Sequence, residues 1–372
     1  MKILIVNKRA PFEGRGAEQV IWAIGKRFAR AGHKVHYFCP DPTSDSSTPE
    51  IDGIDFTFVP TADDPTRSMI ELFVRGPFHY PRVYRSFGPD VVYDNPSPFL
   101  FHLAHVYGDA PVVNKVHAVY RRLTFTCKDH PLVKAGTLLG EESYRLLRGE
   151  TFITNSVSTA ERLEPLIDID KNELIENPIG IDASEFEFYI PDDPTHVVAI
   201  SKLSPRKRVS DLLRAWQQVE HEHPNARLTV AGSGPLEDDL HSLADTLGLS
   251  RVDFPGYVSE SRKLELLRDG ALFVSPTIYE GFGISMLEAM ASGCAVVASD
   301  TWGIKDYVED GANGYLVPTK SPGDLADAIV ELLADDAARR SVAKSARKTA
   351  EEYSMAESLD RELEHLYLVC DL

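Results

Sequence analysis

The sequence predicts an α/β fold of two doubly wound parallel-sheet domains facing across a cleft. Three observations carry that reading. Short apolar runs alternate with amphipathic helical stretches along the chain, the pattern of parallel sheets. The alternation occurs twice, separated by a polar link at 183–195 that contains Pro191 and Pro194. A length of 372 residues is enough for two ordinary domains, each with its own core.

In the first half, strand candidates lie at 3–6, 34–38, 54–59, 91–93, 112–115 and 151–154. Helical spacing fills 17–31, 67–87 and 132–147. The middle helix is expected to break at Gly76-Pro77, because proline removes a donor and crowds the preceding turn. The stretch 41–50, rich in Pro, Ser, Thr and Asp, reads as a surface loop. The second half restarts at 196–200, with further strands at 226–230, 252–254, 271–274, 295–298 and 314–317. Its helices fall at 209–222, 236–247, 260–268, 284–292, 322–334 and 337–352. Leu359, Leu363 and Leu366 share a helical face, so a last helix is expected to pack back on the first domain. The domains are therefore 1–182 with 355–372, and 196–354.

The 39 basic and 57 acidic residues give a formal charge of −18, which argues against a nucleic-acid partner. Of the four cysteines, Cys39 and Cys294 lie in or beside apolar runs and read as buried free thiols; no C-x-x-C pair occurs. The first seven residues are too short for a secretory leader and form a first strand, and no apolar run is long enough to span a membrane. A cytoplasmic protein is expected, with any membrane contact peripheral to the cytoplasmic face. In 67–85, Arg67, Arg75, Arg82 and Arg85 interleave with Phe73, Phe78, Tyr80 and Tyr84. In 115–134, Lys115, Arg121, Arg122, Lys128 and Lys134 add further positive charge. These stretches suit either an anionic bilayer or lipid-phosphate acceptor, or else a plain acceptor cleft or solvated helix face.

The most informative stretch is Glu280-Gly281-Phe282-Gly283-Ile284-Ser285-Met286-Leu287-Glu288, where two carboxylates bracket a glycine turn that enters a helix. Such a helix start presents N–H groups and a favourable dipole to an anion. With helix throughout, the two acids would stand about 12 Å apart along the axis, one for each end of an elongated ligand. Four further clusters sit where strands should meet loops. Gly14-Arg15-Gly16 opens the first helix, as either a phosphate loop or a flexible turn. Lys202, Arg206, Lys207 and Arg208 crowd one loop, as either a solvated basic segment or a pyrophosphate contact. Gly232-Ser233-Gly234-Pro235 makes another strand-to-helix turn. His117 closes a strand and is either structural or functional. No paired histidine spacing suggests a metal site, and Asp168-Ile169-Asp170 lies in a polar stretch rather than after a buried strand.

Taken together these motifs resemble glycosyltransferase family 4, the retaining sugar-nucleotide transferases of GT-B fold with two Rossmann-like domains. The likeness is carried by Lys202-Leu203 with Lys207, Gly232-Ser233-Gly234-Pro235-Leu236, Phe254-Pro255-Gly256-Tyr257, the Glu280–Glu288 stretch, Gly293 and Asp310-Gly311-Ala312-Asn313-Gly314. Asn177-Pro178-Ile179-Gly180-Ile181-Asp182 looks like the family's interdomain element. The sequence departs from the family pattern at Arg15, Ser201 and Arg208, which stand where glycines are usual. Tyr93-Asp94-Asn95 stands where many members carry a histidine segment, which implies a different acceptor pocket.

The resemblance implies transfer of a sugar from a nucleoside diphosphate to a hydroxyl of a glycan or lipid-linked acceptor, without metal or other cofactor. It implies catalytic roles for Glu280, His117 and Lys207. Donor binding would fall to Lys202, Glu288, Gly283, Ile284, Phe282, Gly16, Gly232, Ser233 and Tyr257. Two competing classes are a sugar-nucleotide epimerase of this fold and a non-catalytic partner subunit.

Overall fold

The computed structural model describes residues 1–13, 16–42, 47–63, 65–95, 107–120 and 131–371. It divides into two compact units, Met1–Pro178 with Glu357–Leu372, and Ile179–Ala356.

The first unit holds strands β1 (Lys2–Val6), β2 (Lys34–Pro40), β3 (Ile54–Val59), β4 (Val91–Asp94), β5 (Val112–Val116), β6 (Thr151–Thr154) and β7 (Glu173–Glu176). They form one sheet in the order β3-β2-β1-β4-β5-β6-β7, with every neighbouring pair parallel. Helices α1 (Ala17–Arg30), α2 (Pro65–Phe87), α3 (Pro131–Ser143) and α4 (Val157–Leu163) connect them. The second unit holds β8 (His196–Ile200), β9 (Arg227–Ala231), β10 (Val252–Gly256), β11 (Leu272–Ser275), β12 (Ala295–Ser299) and β13 (Tyr315–Val317). Their order is β10-β9-β8-β11-β12-β13, again all parallel. Its helices are α5 (Val209–Glu222), α6 (Glu237–Leu247), α7 (Glu260–Asp269), α8 (Ile284–Ser292), α9 (Pro322–Ala334) and α10 (Asp336–Glu352), and α11 (Met355–Val369) follows.

The central strands are buried on both faces, as helices covering each side of a parallel sheet require. All five residues of β12 are buried, and Trp216 of α5 is fully enclosed with Leu212, Val230, Leu240 and Ile329. Each such large side chain contributes about 1.5–3 kcal/mol by leaving water. Strand order reverses between β1 and β4 and again between β8 and β11, the switch points outside whose carboxyl ends sheets of this kind take their ligands.

Three expectations change. Helix α2 runs unbroken through Pro77 and Pro81. Each proline removes only one intrahelical bond, and Leu72, Tyr80 and Val83 anchor the helix against Leu4, Phe38 and Val92. Edge strand β7 and short α4 carry no distinctive apolar pattern: β7 reads Glu-Leu-Ile-Glu, and α4 depends on Ser156, which accepts the Thr159 N–H. Lys115 is not a surface base. It is fully buried in β5 and bonds Glu362 of α11 at 2.7 Å. Arg121, Arg122, Lys128 and Cys127 lie outside the described residues, as do Gly14 and Arg15.

Glu362 also accepts from the Tyr93 hydroxyl and from Asn177 Nδ2, the latter at 2.6 Å. Leu363 and Leu366 are buried beside it, so α11 joins the first unit through an apolar face and a buried polar knot. Cys39 and Cys294 are fully buried free thiols, and burial alone pushes the Cys294 thiol up to about 12.

Candidate active site

The switch between β8 and β11 brings two loops together. The loop after β8 carries Lys202, Arg206 and Lys207, and the turn after β11 carries Glu280. Lys207 Nζ makes a short ion pair with Glu280 Oε2, and Arg206 Nη1 lies 3.7 Å from Oε1. The main chains are also tied: the Ile278 N–H donates to Arg206 O at 3.1 Å, and Arg206 Nη1 donates to Tyr279 O at 3.1 Å. Burial would raise the Glu280 carboxyl, but Lys207 and Arg206 overcome it and hold the group below the ordinary carboxylate range.

The turn ends at Gly283, whose φ of 94° lies in the left-handed region. A Cβ there would also crowd Ile304 Cδ1 at 2.6 Å, but it is the left-handed backbone that calls for glycine. Helix α8 starts at the next residue with no side-chain cap. The Met286 N–H donates to Gly283 O at 2.9 Å, and the N–H groups ahead of it lie at the positive end of the helix dipole, where an anion is favoured. Residues 280–283 are therefore turn, not helix, and only the four steps from Ile284 to Glu288 rise helically, about 6 Å. Phe282 turns inward. Its ring is 3% exposed and packs 5.2 Å from Tyr307 and 5.5 Å from Tyr353, so it supports the turn from behind.

Glu288 meets a second lysine. Lys263 Nζ of α7 lies 2.8 Å from Glu288 Oε1 and 2.7 Å from Glu260 Oε2. Burial outweighs Lys263 at this carboxyl and leaves it above its ordinary range, the opposite of Glu280. Lys263 is itself raised: burial opposes its charge, but Glu288 and Glu260 favour it more.

The loop after β8 is zipped to the loop after β9. Leu203 N–H donates to Ser233 O at 3.0 Å, and Leu236 N–H donates to Leu203 O at 3.2 Å. A Cβ on Gly232, at φ 134°, would fall 1.9 Å from Ser201 O, so this glycine serves loop contact directly. Ser233 and Lys202 are exposed on these loops. Tyr257, 54% exposed, follows Gly256, whose carbonyl accepts the Gly232 N–H at 2.7 Å. Arg208 occupies a left-handed position (φ 52°) where glycine would be unstrained. Its guanidinium forks onto both Asp211 oxygens at 2.7 Å, which offsets that strain.

In the first unit, Gly16 (φ 59°) opens α1 with open space beside it. His117 directly follows β5. Both ring nitrogens are buried without a hydrogen-bond partner among the described residues, and burial, then Lys115 and Lys8, hold it well below the ordinary histidine value. A neutral imidazole there keeps both a donor and an acceptor for a ligand. Lys8, at the end of β1, is lowered by burial against the pull of Glu18. Asn95 Nδ2 bonds Asn7 Oδ1 at 2.6 Å, so this part of the Tyr93-Asp94-Asn95 segment ties β4 to β1. Asp168 is held in a turn by Lys171 at 3.2 Å. Among the described residues, no group of three His, Cys, Asp or Glu side chains gathers to hold a metal ion.

Sequence reasoning gave no site role to Lys263 or Lys8, and placed Arg206 only within the basic loop as a possible pyrophosphate contact, without its pairing to Glu280. Lys8 stood at the carboxyl end of β1, so position could have marked it. Lys263 lies in an ordinary charged helix, and only the fold shows that it faces Glu288.

Two family models match this chain. Glycosyl transferases group 1 matches residues 181–349, and Glycosyltransferase Family 4 matches residues 14–185. The chain is 27% identical to glycogen synthase of Mycobacterium tuberculosis over 94% of its own length and 90% of that protein. It is 31% identical to an uncharacterised glycosyltransferase of Methanocaldococcus jannaschii, over 48% of this chain and 46% of the relative. Among solved structures, sucrose-phosphate synthase from Thermosynechococcus elongatus superposes with a TM-score of 0.86 at 20% identity, covering 99% of this chain and 98% of that one. Anabaena HepE, in complex with UDP and glucose, superposes with a TM-score of 0.75 at 20% identity, covering 98% and 99%.

Proposed function

From the premise that this chain belongs to the GT-B glycosyltransferases of family 4, we propose that it transfers a sugar from a nucleoside diphosphate to a hydroxyl acceptor, retaining the anomeric configuration without a metal. The carrying observation is the Lys207–Glu280 pair at the β8/β11 switch, continuous with the uncapped start of α8 and with Glu288.

The chemistry follows from charge. Departure of the diphosphate builds negative charge on its oxygens. Lys207, Arg206 and the N–H groups of Gly283 and Ile284 are prearranged to receive it, so little reorganisation is needed as the bond breaks. Glu280, kept ionised by its two cations, accepts hydrogen bonds from donor-sugar hydroxyls. Glu288 accepts from the ribose. Glu280 and Glu288 are both held in ion pairs, and the proposed course is attack on the face that the diphosphate leaves, with a phosphate oxygen taking the acceptor proton. His117, neutral and with no hydrogen-bond partner among the described residues, is assigned to sugar or acceptor hydroxyls. A glycan or lipid-linked acceptor fits this chemistry.

A thermal-shift screen with UDP-, GDP- and ADP-sugars identifies the donor, because a bound ligand raises apparent stability by mass action. Proton NMR of the product, with chelator present, then reads the anomeric configuration. An inverted product, or activity lost to chelator and restored by a divalent ion, would refute the mechanism. Sugar-nucleotide turnover with no acceptor would favour an epimerase instead.

A further inference from the structure

We propose that the outer face of α2 docks on an anionic lipid bilayer surface. The inner face of this helix is spent on the sheet through Leu72, Tyr80 and Val83. Its outer face leaves Ile70 56%, Val74 57% and Phe78 75% exposed, one stripe at four-residue spacing. The other exposed residues of the helix, among those whose side chains are described, are Arg67, Arg75, Arg82, Arg85 and Ser86. The single acid, Glu71, is half-buried and already engaged by Arg67 at 2.9 Å and by the Ala62 N–H at 2.8 Å. Arg82 and Arg85 have no ion pair among the described residues.

A chain of formal charge −18 thus concentrates guanidinium groups around one apolar stripe. Nucleic acid would use the arginines but not the stripe. A second copy docked face to face would use the stripe but set arginine against arginine, because an isologous contact repeats the same surface. An anionic bilayer satisfies both: apolar tips enter the boundary between headgroups and acyl chains while arginines reach lipid phosphates. No helix among the described residues is long and apolar enough to cross a membrane, so the contact is peripheral. This surface uses none of the residues assigned to the donor.

Flotation of the full chain with phosphatidylglycerol-containing vesicles and with pure phosphatidylcholine vesicles tests the proposal. The expected result is binding to the anionic vesicles at low salt, release by added salt, and little binding to the neutral ones. Arg82→Glu/Arg85→Glu is expected to lower partition at least about tenfold, and Phe78→Ser to lower it several-fold while circular dichroism stays unchanged. Either variant suffices if the other misfolds. Indifference to lipid charge, or wild-type partition of the folded variants, would overturn the proposal. So would a dimer in free solution that Phe78→Ser dissociates, which would assign the stripe to a second copy.

Discussion

Two lysine–glutamate pairs serve the two units differently. Lys115 and Glu362 are 0% and 1% exposed, and the Tyr93 hydroxyl and Asn177 amide complete the carboxylate's partners. Lys207 and Glu280 are 12% and 17% exposed, at a strand's carboxyl end beside an uncapped helix start. The first pair is closed on itself and fastens α11 to β5. The second keeps a side open, so a ligand with hydroxyls and phosphates can offer each partner a substitute. What separates the structural pair from the one proposed to bind the donor is the completeness of its hydrogen bonding, since the residue types are identical.

The sharpest way to break this contrast is to remove one member of each pair. Glu362→Ala should destabilise the protein by about 3–5 kcal/mol, because it strands a buried ammonium. Urea unfolding measures this, and an unchanged midpoint would erase the distinction. Lys207→Ala should lower transfer about 100- to 1000-fold and, because Arg206 still faces Glu280 Oε1 at 3.7 Å, destabilise the fold less than Glu362→Ala does. Steady-state rates and melting curves on the same preparation separate the two effects.

A smaller effect distinguishes the two site acids. Glu288→Gln should weaken nucleoside-diphosphate binding about tenfold, the scale of one charged hydrogen bond. Calorimetry reads it. The smallest effect is on pH dependence. Glu280 lies below its unfolded value, so its contribution to stability is present above that value and fades as pH falls through the folded one. Glu288 lies above its unfolded value, so its contribution is complete at low pH and fades as pH rises through the folded one. Glu280→Gln should therefore flatten the decline on the acid side of the carboxylate range, and Glu288→Gln a decline just above it. Melting temperatures between about pH 3 and pH 7 test both signs.

Much of this was legible in the residues. Alternation of apolar strands and amphipathic helices specified two parallel sheets, because buried parallel strands have no polar face to disguise them. The Glu280–Glu288 stretch announced a turn entering a helix, and Gly283 marked where the turn stops. Long-range pairing was hidden. Lys263 and Glu288 are 25 residues apart on different helices, and Lys115 reads as one more surface base until Glu362 arrives from the chain's far end. Phe282 looked like a ligand contact because it lies between motif glycines, yet the aromatic pair Tyr307 and Tyr353 draws its ring inward. Helix α2 showed the converse, since proline spoke against continuity and tertiary packing overruled it.

Titration calorimetry of UDP-, GDP- and ADP-sugars against wild-type protein and Lys207→Ala tests the donor site most directly. At least one donor should bind the wild type below millimolar concentration and the variant about tenfold or more weakly. Equal affinity in the two proteins, or no binding of any donor at millimolar levels, would contradict a diphosphate seat at the β8/β11 switch.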